Sequence, residues 1–178
     1  MGRVKKYKRL DHLVKAMTIV TTKIPHVKCI IAGKGDRKVY KELSDLTKRL
    51  GIKENIILEE NLTEEEKLDI LRKAWICIIP SMKEGFSISA LEAQSCGTPI
   101  VAYKVPGLDN SVRDNLTGLL VPEGDYRALA KAIIDLLLNE ELRLKMSQAA
   151  RQHALSFSWE NSARRFLILI AEVARHEC

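Results

Sequence analysis

The chain has 178 residues, of which 46% are apolar, and its formal net charge is +6 at neutral pH. These values favour one compact domain with a buried core over a disordered or membrane-spanning chain, since no apolar run reaches the length of a bilayer span. The four cysteines show neither zinc-ligand nor disulfide-framework spacing, so we expect reduced thiols in a cytoplasmic protein with at most peripheral membrane contact.

Helical and strand patterns alternate along the chain. In chain order, apolar periodicity and capping residues predict helix 10–22, strand 27–33, helix 39–50, strand 55–58, helix 63–74, strand 74–80, helix 87–95, strands 100–103 and 118–121, and helices 125–137, 140–155 and 159–175. Thr63 and Glu66 have capping-box spacing. The alternation predicts an α/β fold with a single Rossmann-like, doubly wound parallel sheet.

Two glycines follow the first predicted strand, at Gly33 and Gly35. A strand followed by a glycine turn and a helix suggests a dinucleotide-binding fingerprint. Lys38 stands where that fingerprint needs its third glycine, so an ordinary turn between a strand and a helix is the better interpretation.

Cations are concentrated at the start of the chain. Arg3 and Lys8 precede the first predicted helix, and two fixed cations there could neutralise a bound diphosphate without a metal. The chain contains no Asp-x-Asp pair that would hold a divalent ion. A solvated charged surface explains the same cluster equally well. A nucleic-acid-binding face is a further alternative, but aromatic residues are only 5% of the chain and give no stacking platform, so we expect no nucleic-acid partner.

Two glutamates eight positions apart, Glu84 and Glu92, flank a predicted turn and helix start. Free backbone N–H groups at a helix start form a site for phosphate, and flanking carboxylates can accept hydrogen bonds from sugar hydroxyls. A glycosidase would also need two acids, and a loop glutamate beside a helical glutamate requires no function at all. The spacing alone leaves these three interpretations open.

The segment 84–92 (EGFSISALE) resembles the E-x7-E motif of the retaining GT-B glycosyltransferases of family 4, the glycosyl transferases group 1. Further segments resemble the same family in the same order, over nearly the whole chain: 2–4 (GRV), 8–10 (KRL), 31–35 (IAGKG), 96–102 (CGTPIVA), 117–122 (TGLLVP) and 157–159 (FSW).

The resemblance implies a glycosyltransferase donor domain that binds a nucleotide-diphosphate sugar, such as a UDP-, GDP- or ADP-sugar, for retaining transfer without a metal or other cofactor. Arg3 and Lys8 are implied to hold the diphosphate and to stabilise the leaving nucleotide, where charge builds up in the transition state. Glu84 is implied to contact the transferred sugar, which completes the predicted catalytic set.

The other implied donor contacts surround this set. The backbone amides of Gly85 and Phe86 are implied to meet the sugar hydroxyls, Glu92 to accept from the ribose, and Leu62 to lie near the base. Ser87 and Leu91 complete the predicted donor site.

Four features depart from the family pattern. Ser87 replaces a Gly or Pro and is suited to cap the helix. Arg9 replaces a Gly and adds charge near the expected diphosphate, and the segment 105–110 replaces a G-G-x-x-E pattern in a loop near the substrates. Glu60 replaces a Gly beside the expected base, which leaves the identity of the base open.

The resemblance covers only half of a GT-B enzyme. It implies a nucleotide-sugar-binding domain over 1–156 and a C-terminal helix, 157–178, that packs toward an N-terminal acceptor-binding domain or subunit. It also implies an apolar strand before Gly2, where only Met1 stands, so we expect two unpaired strand edges and little transfer by the isolated chain. A non-catalytic interaction module of the same fold is the alternative, and a nucleotide-sugar epimerase shares the architecture without a favouring motif.

Overall fold

The computed structural model of the protein describes Gly2 and residues 4–176. Within this part of the chain, five strands alternate with eight α-helices. The strands are β1 (Cys29–Ala32), β2 (Ile56–Glu59), β3 (Cys77–Ile79), β4 (Ile100–Tyr103) and β5 (Gly118–Val121). The helices are α1 (Leu10–Lys23), α2 (Arg37–Arg49), α3 (Glu64–Lys73), α4 (Ile88–Ser95), α5 (Leu108–Ser111), α6 (Tyr126–Leu138), α7 (Glu140–Leu155) and α8 (Trp159–His176). Short 3₁₀ turns lie at Lys6–Lys8 and Lys53–Asn55.

The predicted elements are all present, with shifted ends. The capping box at the start of α3 is confirmed, since Thr63 Oγ1 accepts from the Glu66 N–H and the Glu66 carboxylate accepts from the Thr63 N–H. The predicted strand 74–80 shrinks to β3 because Trp75 is 59% exposed, with its ring against the Arg143 guanidinium. Sequence patterns missed the one-turn helix α5, which follows directly on Gly107.

The α/β class and the parallel arrangement are confirmed, and the sheet consists of two parts. Strand β1 pairs with β2, and β3, β4 and β5 pair in that order, all in parallel. Strand β4 forms the centre of the core, since all four of its residues are fully buried. Helix α1 packs on α6, and α4 packs on α7, which covers the three-stranded part.

The edges of β1 and β3 that face away from their partners pair with no further strand among the described residues, as expected. A cavity of about 50 Å³ between them is lined by Ile30 and Ile31 from β1 and by Ile78 and Ile79 from β3. Val4 forms a single parallel bridge with Gly35 at the carboxyl end of β1.

The two glycines after β1 make room for this approach of the chain. A Cβ on Gly33 would lie 1.6 Å from the Gly2 carbonyl oxygen, and one on Gly35 would lie 2.4 Å from the Val4 Cβ. The Val4 N–H donates to the Lys34 carbonyl at 2.9 Å. Packing of the chain's own backbone therefore accounts for both glycines, in keeping with an ordinary turn.

Candidate functional site

Lys8 lies beyond the carboxyl end of β3. It closes the 3₁₀ turn Lys6–Lys8, and Arg9 then adopts a left-handed conformation, with φ of 47°, before α1 begins. The Tyr7 carbonyl accepts a hydrogen bond from the Met82 N–H at 3.1 Å, which ties this turn to the loop after β3. The carboxyl ends of parallel strands are where α/β proteins bind ligands.

Glu84 lies in the loop between β3 and α4, and it pairs with Lys8. The Lys8 Nζ is 2.6 Å from the Glu84 Oε1, and the two side chains are only 17% and 11% exposed. A short, charge-assisted bond of this kind fixes both groups in a mostly dry site. Two of the three predicted catalytic residues therefore meet, and Arg3 lies outside the described residues.

Gly107 packs closely against the backbone of the loop that carries Glu84. Its φ is +89°, and a Cβ there would lie 2.2 Å from the Gly85 carbonyl oxygen and 2.3 Å from that of Glu84. Any larger residue would push the Glu84 loop away, so glycine is needed for both conformation and space. The segment 105–110 therefore supports the backbone of the Glu84 loop.

Backbone N–H groups are open between Glu84 and α4. Among the described residues, the N–H groups of Gly85, Phe86 and Ser87 donate to no protein acceptor. The expectation that Ser87 caps α4 is wrong: its side chain makes no cap bond and instead lies 3.3 Å from the Ser89 hydroxyl. Because Ser87 leaves the helix start uncapped, the site has hydrogen-bond donors available for an anion or for hydroxyl groups.

Phe86 is a rim aromatic. It is 46% exposed, and its ring packs against Phe157, with the centroids 5.6 Å apart. Phe157 in turn meets the buried His153 edge-on at 5.0 Å. The start of α4 is thereby connected to the end of α7.

Glu92 lies on the second turn of α4, and its partner is Lys67 from α3. The Lys67 Nζ is 2.9 Å from the Glu92 Oε1, and it also contacts Glu64. Hydrogen bonding to Glu64 and to Glu92 raises the pKa of Lys67. Glu84 and Glu92 therefore belong to two separate lysine pairs.

The two remaining predicted donor contacts, Leu62 and Leu91, have apolar side chains and so form no polar side-chain contact. Leu62 is half-buried in the loop between β2 and α3, and Leu91 is half-buried on α4 beside Glu92. Leu91 lies on the helix that carries Glu92, and Leu62 lies just before the helix that carries Lys67.

Arg9 is engaged locally. Its Nε donates to the Asp11 Oδ1 at 3.0 Å, its Nη1 is 3.3 Å from the Met82 sulfur, and its Nη2 contacts His12. His12 bonds the buried Tyr103 hydroxyl at 2.8 Å, and burial lowers the pKa of His12 and raises that of Tyr103 to about 12. Much of the Arg9 charge is therefore offset by Asp11, so it adds less near Glu84 than the sequence suggested.

Among the described residues, no three His, Cys, Asp or Glu side chains converge as metal ligands would. None of the helices in this part of the chain is long and apolar enough to cross a membrane.

The profile of one protein family, described as glycosyl transferases group 1, matches residues 1–153. The chain belongs to this family. A curated relative, the D-inositol 3-phosphate glycosyltransferase of Streptomyces coelicolor, is 33% identical over 169 residues, which cover 91% of this chain and 37% of the relative. The chain thus spans less than half the length of such relatives.

Solved structures of longer proteins contain a domain with the same fold as this chain. A TarM variant of S. aureus, bound to fondaparinux, α-GlcNAc-glycerol and UDP, superposes with a TM-score of 0.86 at 25% identity, over 94% of this chain and 34% of that one. HepE of Anabaena, in complex with UDP, gives 0.85 at 20% identity, over 96% and 48%. The Rossmann-like fold predicted from the sequence is that of this glycosyltransferase family.

Sequence reasoning about this glycosyltransferase domain missed Lys67 and Gly107. Lys67 has no signal in the sequence, because its contact with Glu92 spans 25 positions and depends on how α3 packs beside α4. Gly107 had a weak signal, since a Pro-Gly pair marks a turn, but the sequence does not say what the turn touches.

Proposed function

We propose that this domain binds the donor of a retaining, metal-independent glycosyltransferase of family 4, and that the donor is a nucleotide-diphosphate sugar. The observation that supports this most is the Lys8–Glu84 pair beside the open N–H groups of residues 85–87. It offers a cation for a diphosphate, and it offers a carboxylate and backbone donors for a sugar.

The proposed roles follow the chemistry of each group. Lys8 binds the diphosphate, with Arg3 as a second cation, and both stabilise the negative charge that builds up on the leaving nucleotide. Glu84 exchanges its bond with Lys8 for one to the transferred sugar. One carboxylate oxygen of Glu92 stays bonded to Lys67, and the other accepts hydrogen bonds from the ribose hydroxyls. The E-x7-E segment therefore contacts the donor at its sugar, through Glu84, and at its ribose, through Glu92.

We further propose that an N-terminal acceptor-binding half, within the same protein or as a subunit, covers α8. All side chains over 159–175 are exposed, including Trp159 at 89%, Phe166 at 65% and Ile170 at 50%. An amphipathic helix that exposes this much apolar surface ordinarily lies against another protein surface. We place the protein in the cytoplasm, in keeping with the free thiols of Cys29, Cys77 and Cys96.

Calorimetry with UDP-, GDP- and ADP-sugars tests the donor proposal. We expect one nucleotide to bind with millimolar or tighter affinity, unchanged by a chelator. Glu92→Ala should weaken binding about tenfold, the loss expected for one hydrogen bond to a charged group, whereas Glu123→Ala in an exposed turn should have no effect. If none of the three nucleotides bound, or if a chelator abolished binding, the donor proposal would fail.

A further inference from the structure

The net positive charge of this chain lies in its first third. Residues 1–55 contain 15 Lys and Arg against 5 Asp and Glu, a charge of +10, whereas residues 56–178 contain 14 against 18, a charge of −4. The donor site uses few of these cations. Such asymmetry produces a field that attracts an anionic partner to one side of the molecule.

A groove between α1 and α2 lies within this basic region. Its volume is about 620 Å³, which is in the range of small-molecule sites. Leu10 from α1 and Val39, Leu43 and Leu46 from α2 form an apolar floor. The cations Lys5, Lys6, Arg9, Lys15 and Arg49 surround it, with Asp11 and Glu42 as the acidic members of the lining.

Three of these cations are available for a ligand. Asp11 already bonds Arg9 at 3.0 Å and faces Lys15 at 3.9 Å. Lys5, Lys6 and Arg49 are exposed and form no ion pair with any described residue. The groove lining includes neither Lys8 nor the Glu84–Glu92 segment, so the groove is separate from the donor site.

The chemistry of the groove selects among anionic partners. A free phosphate would use the cations and leave the apolar floor in water. Single-stranded nucleic acid would use aromatic platforms, and the groove lining contains no aromatic side chain. An anionic lipid satisfies both features, because its headgroup needs cations and its first acyl carbons need an apolar surface.

We propose that the α1–α2 groove binds the headgroup and proximal acyl chain of an anionic phospholipid, which holds this domain against a membrane surface. The groove lining and the proposed donor contacts have no residue in common. Lys5, Lys6 and Arg49 attract the anionic headgroup. The apolar floor contacts the acyl chain, which a purely electrostatic surface could not do.

Co-sedimentation with vesicles tests the proposal, using phosphatidylcholine alone and phosphatidylcholine mixed with phosphatidylglycerol. The protein should sediment only with the mixed vesicles. Each neutralised cation should lower partitioning about fivefold, so Lys5→Gln, Lys6→Gln and Arg49→Gln together should lower it roughly 100-fold. The matched control neutralises Lys131, Lys145 and Arg151, three exposed cations away from the groove, and should change partitioning far less.

A short-chain phosphatidylglycerol, used below its micelle concentration, separates a groove from a charged surface. It should bind the wild type and not the triple variant, while glycerol phosphate should bind neither. Equal losses in the triple variant and its control, or no sedimentation with the mixed vesicles, would overturn the proposal. So would binding to a DNA duplex that the triple variant lost while vesicle binding stayed unchanged.

Discussion

The two lysine–glutamate pairs of the proposed donor site are built in different ways. Lys8 lies on a short 3₁₀ turn and Glu84 on a loop, and their side chains are 17% and 11% exposed. Lys67 and Glu92 both lie on helices, α3 and α4, and Glu92 is 35% exposed. The first pair is drier, although its backbone is less regular.

The difference shows which parts of the structure position each pair. The helical pair depends on two helix axes, which the capping box of α3 and the core face of α4 hold in place. The loop pair depends on two contacts remote in sequence: the Tyr7–Met82 bond and the close approach of Gly107. We therefore expect Glu84 to be the more sensitive of the two to changes outside the site.

Gly107→Ala should have the largest effect, because it disturbs the loop that carries Glu84. The new Cβ would meet two carbonyl oxygens of the Glu84 loop in a left-handed conformation, and the free energy of unfolding should fall by roughly 3 kcal/mol. Nucleotide affinity should fall as well, as measured by calorimetry.

Gly124→Ala is its matched control. Gly124 has a φ of +79° with no atom within 4 Å of a Cβ, so it carries the conformational cost without the collision. We expect a loss of about 1 kcal/mol in chemical denaturation and unchanged nucleotide binding. Equal effects in the two variants would show that the Gly107 contact does not position Glu84.

Lys8→Met tests the loop pair itself. It removes the cation proposed for the diphosphate, and affinity for whichever of UDP, GDP and ADP the wild type binds should fall about 10- to 100-fold, the loss of one hydrogen bond between charged groups. The fall should be smaller for the corresponding nucleoside, which has no phosphate, and titrations of both ligands would show this. A similar loss for the nucleoside would mean that Lys8 acts on the fold and not on the diphosphate.

Lys67→Met tests the helical pair and should have a smaller effect. Glu92 would keep its place on α4 but lose the bond that orients it, so nucleotide affinity should fall about threefold to tenfold. Lys67→Arg should restore most of the affinity. Glu64→Gln removes the other, largely exposed partner of Lys67 and should leave affinity unchanged, and a loss as large as that of Lys67→Met would contradict the role given to Glu92.

The sequence predicted the helices and strands well because their patterns are local. Periodicity located the helices, and a resemblance placed Glu84 and Glu92 beside a strand end. The partners of these residues were not all predictable, because Lys67 and Gly107 reach the site through tertiary packing, and the Tyr7–Met82 bond joins segments far apart in the chain. The division of the sheet between β1 and β3 was expected from the resemblance, whereas the exposed Trp75 was not, since its apolar neighbours made it look like part of a strand.

Acidification provides the mildest test, and it should affect the loop pair first. Burial lowers the pKa values of His12 and His153, and both lie on the Glu84 side: His12 contacts Arg9, and His153 reaches Phe86 through Phe157. The folded protein therefore binds fewer protons than the unfolded chain below the ordinary histidine value of about 6.5, and stability should fall as the pH drops through that value.

Each histidine can contribute a slope of at most about 1.4 kcal/mol per pH unit, measured by denaturation at a series of pH values. His12→Gln should flatten the slope, whatever it does to stability at neutral pH, and exposed His26→Gln should not. Nucleotide affinity should fall over the same range if the histidines hold the Glu84 loop in place. Constant affinity with falling stability would show that the loop pair stands independently of them.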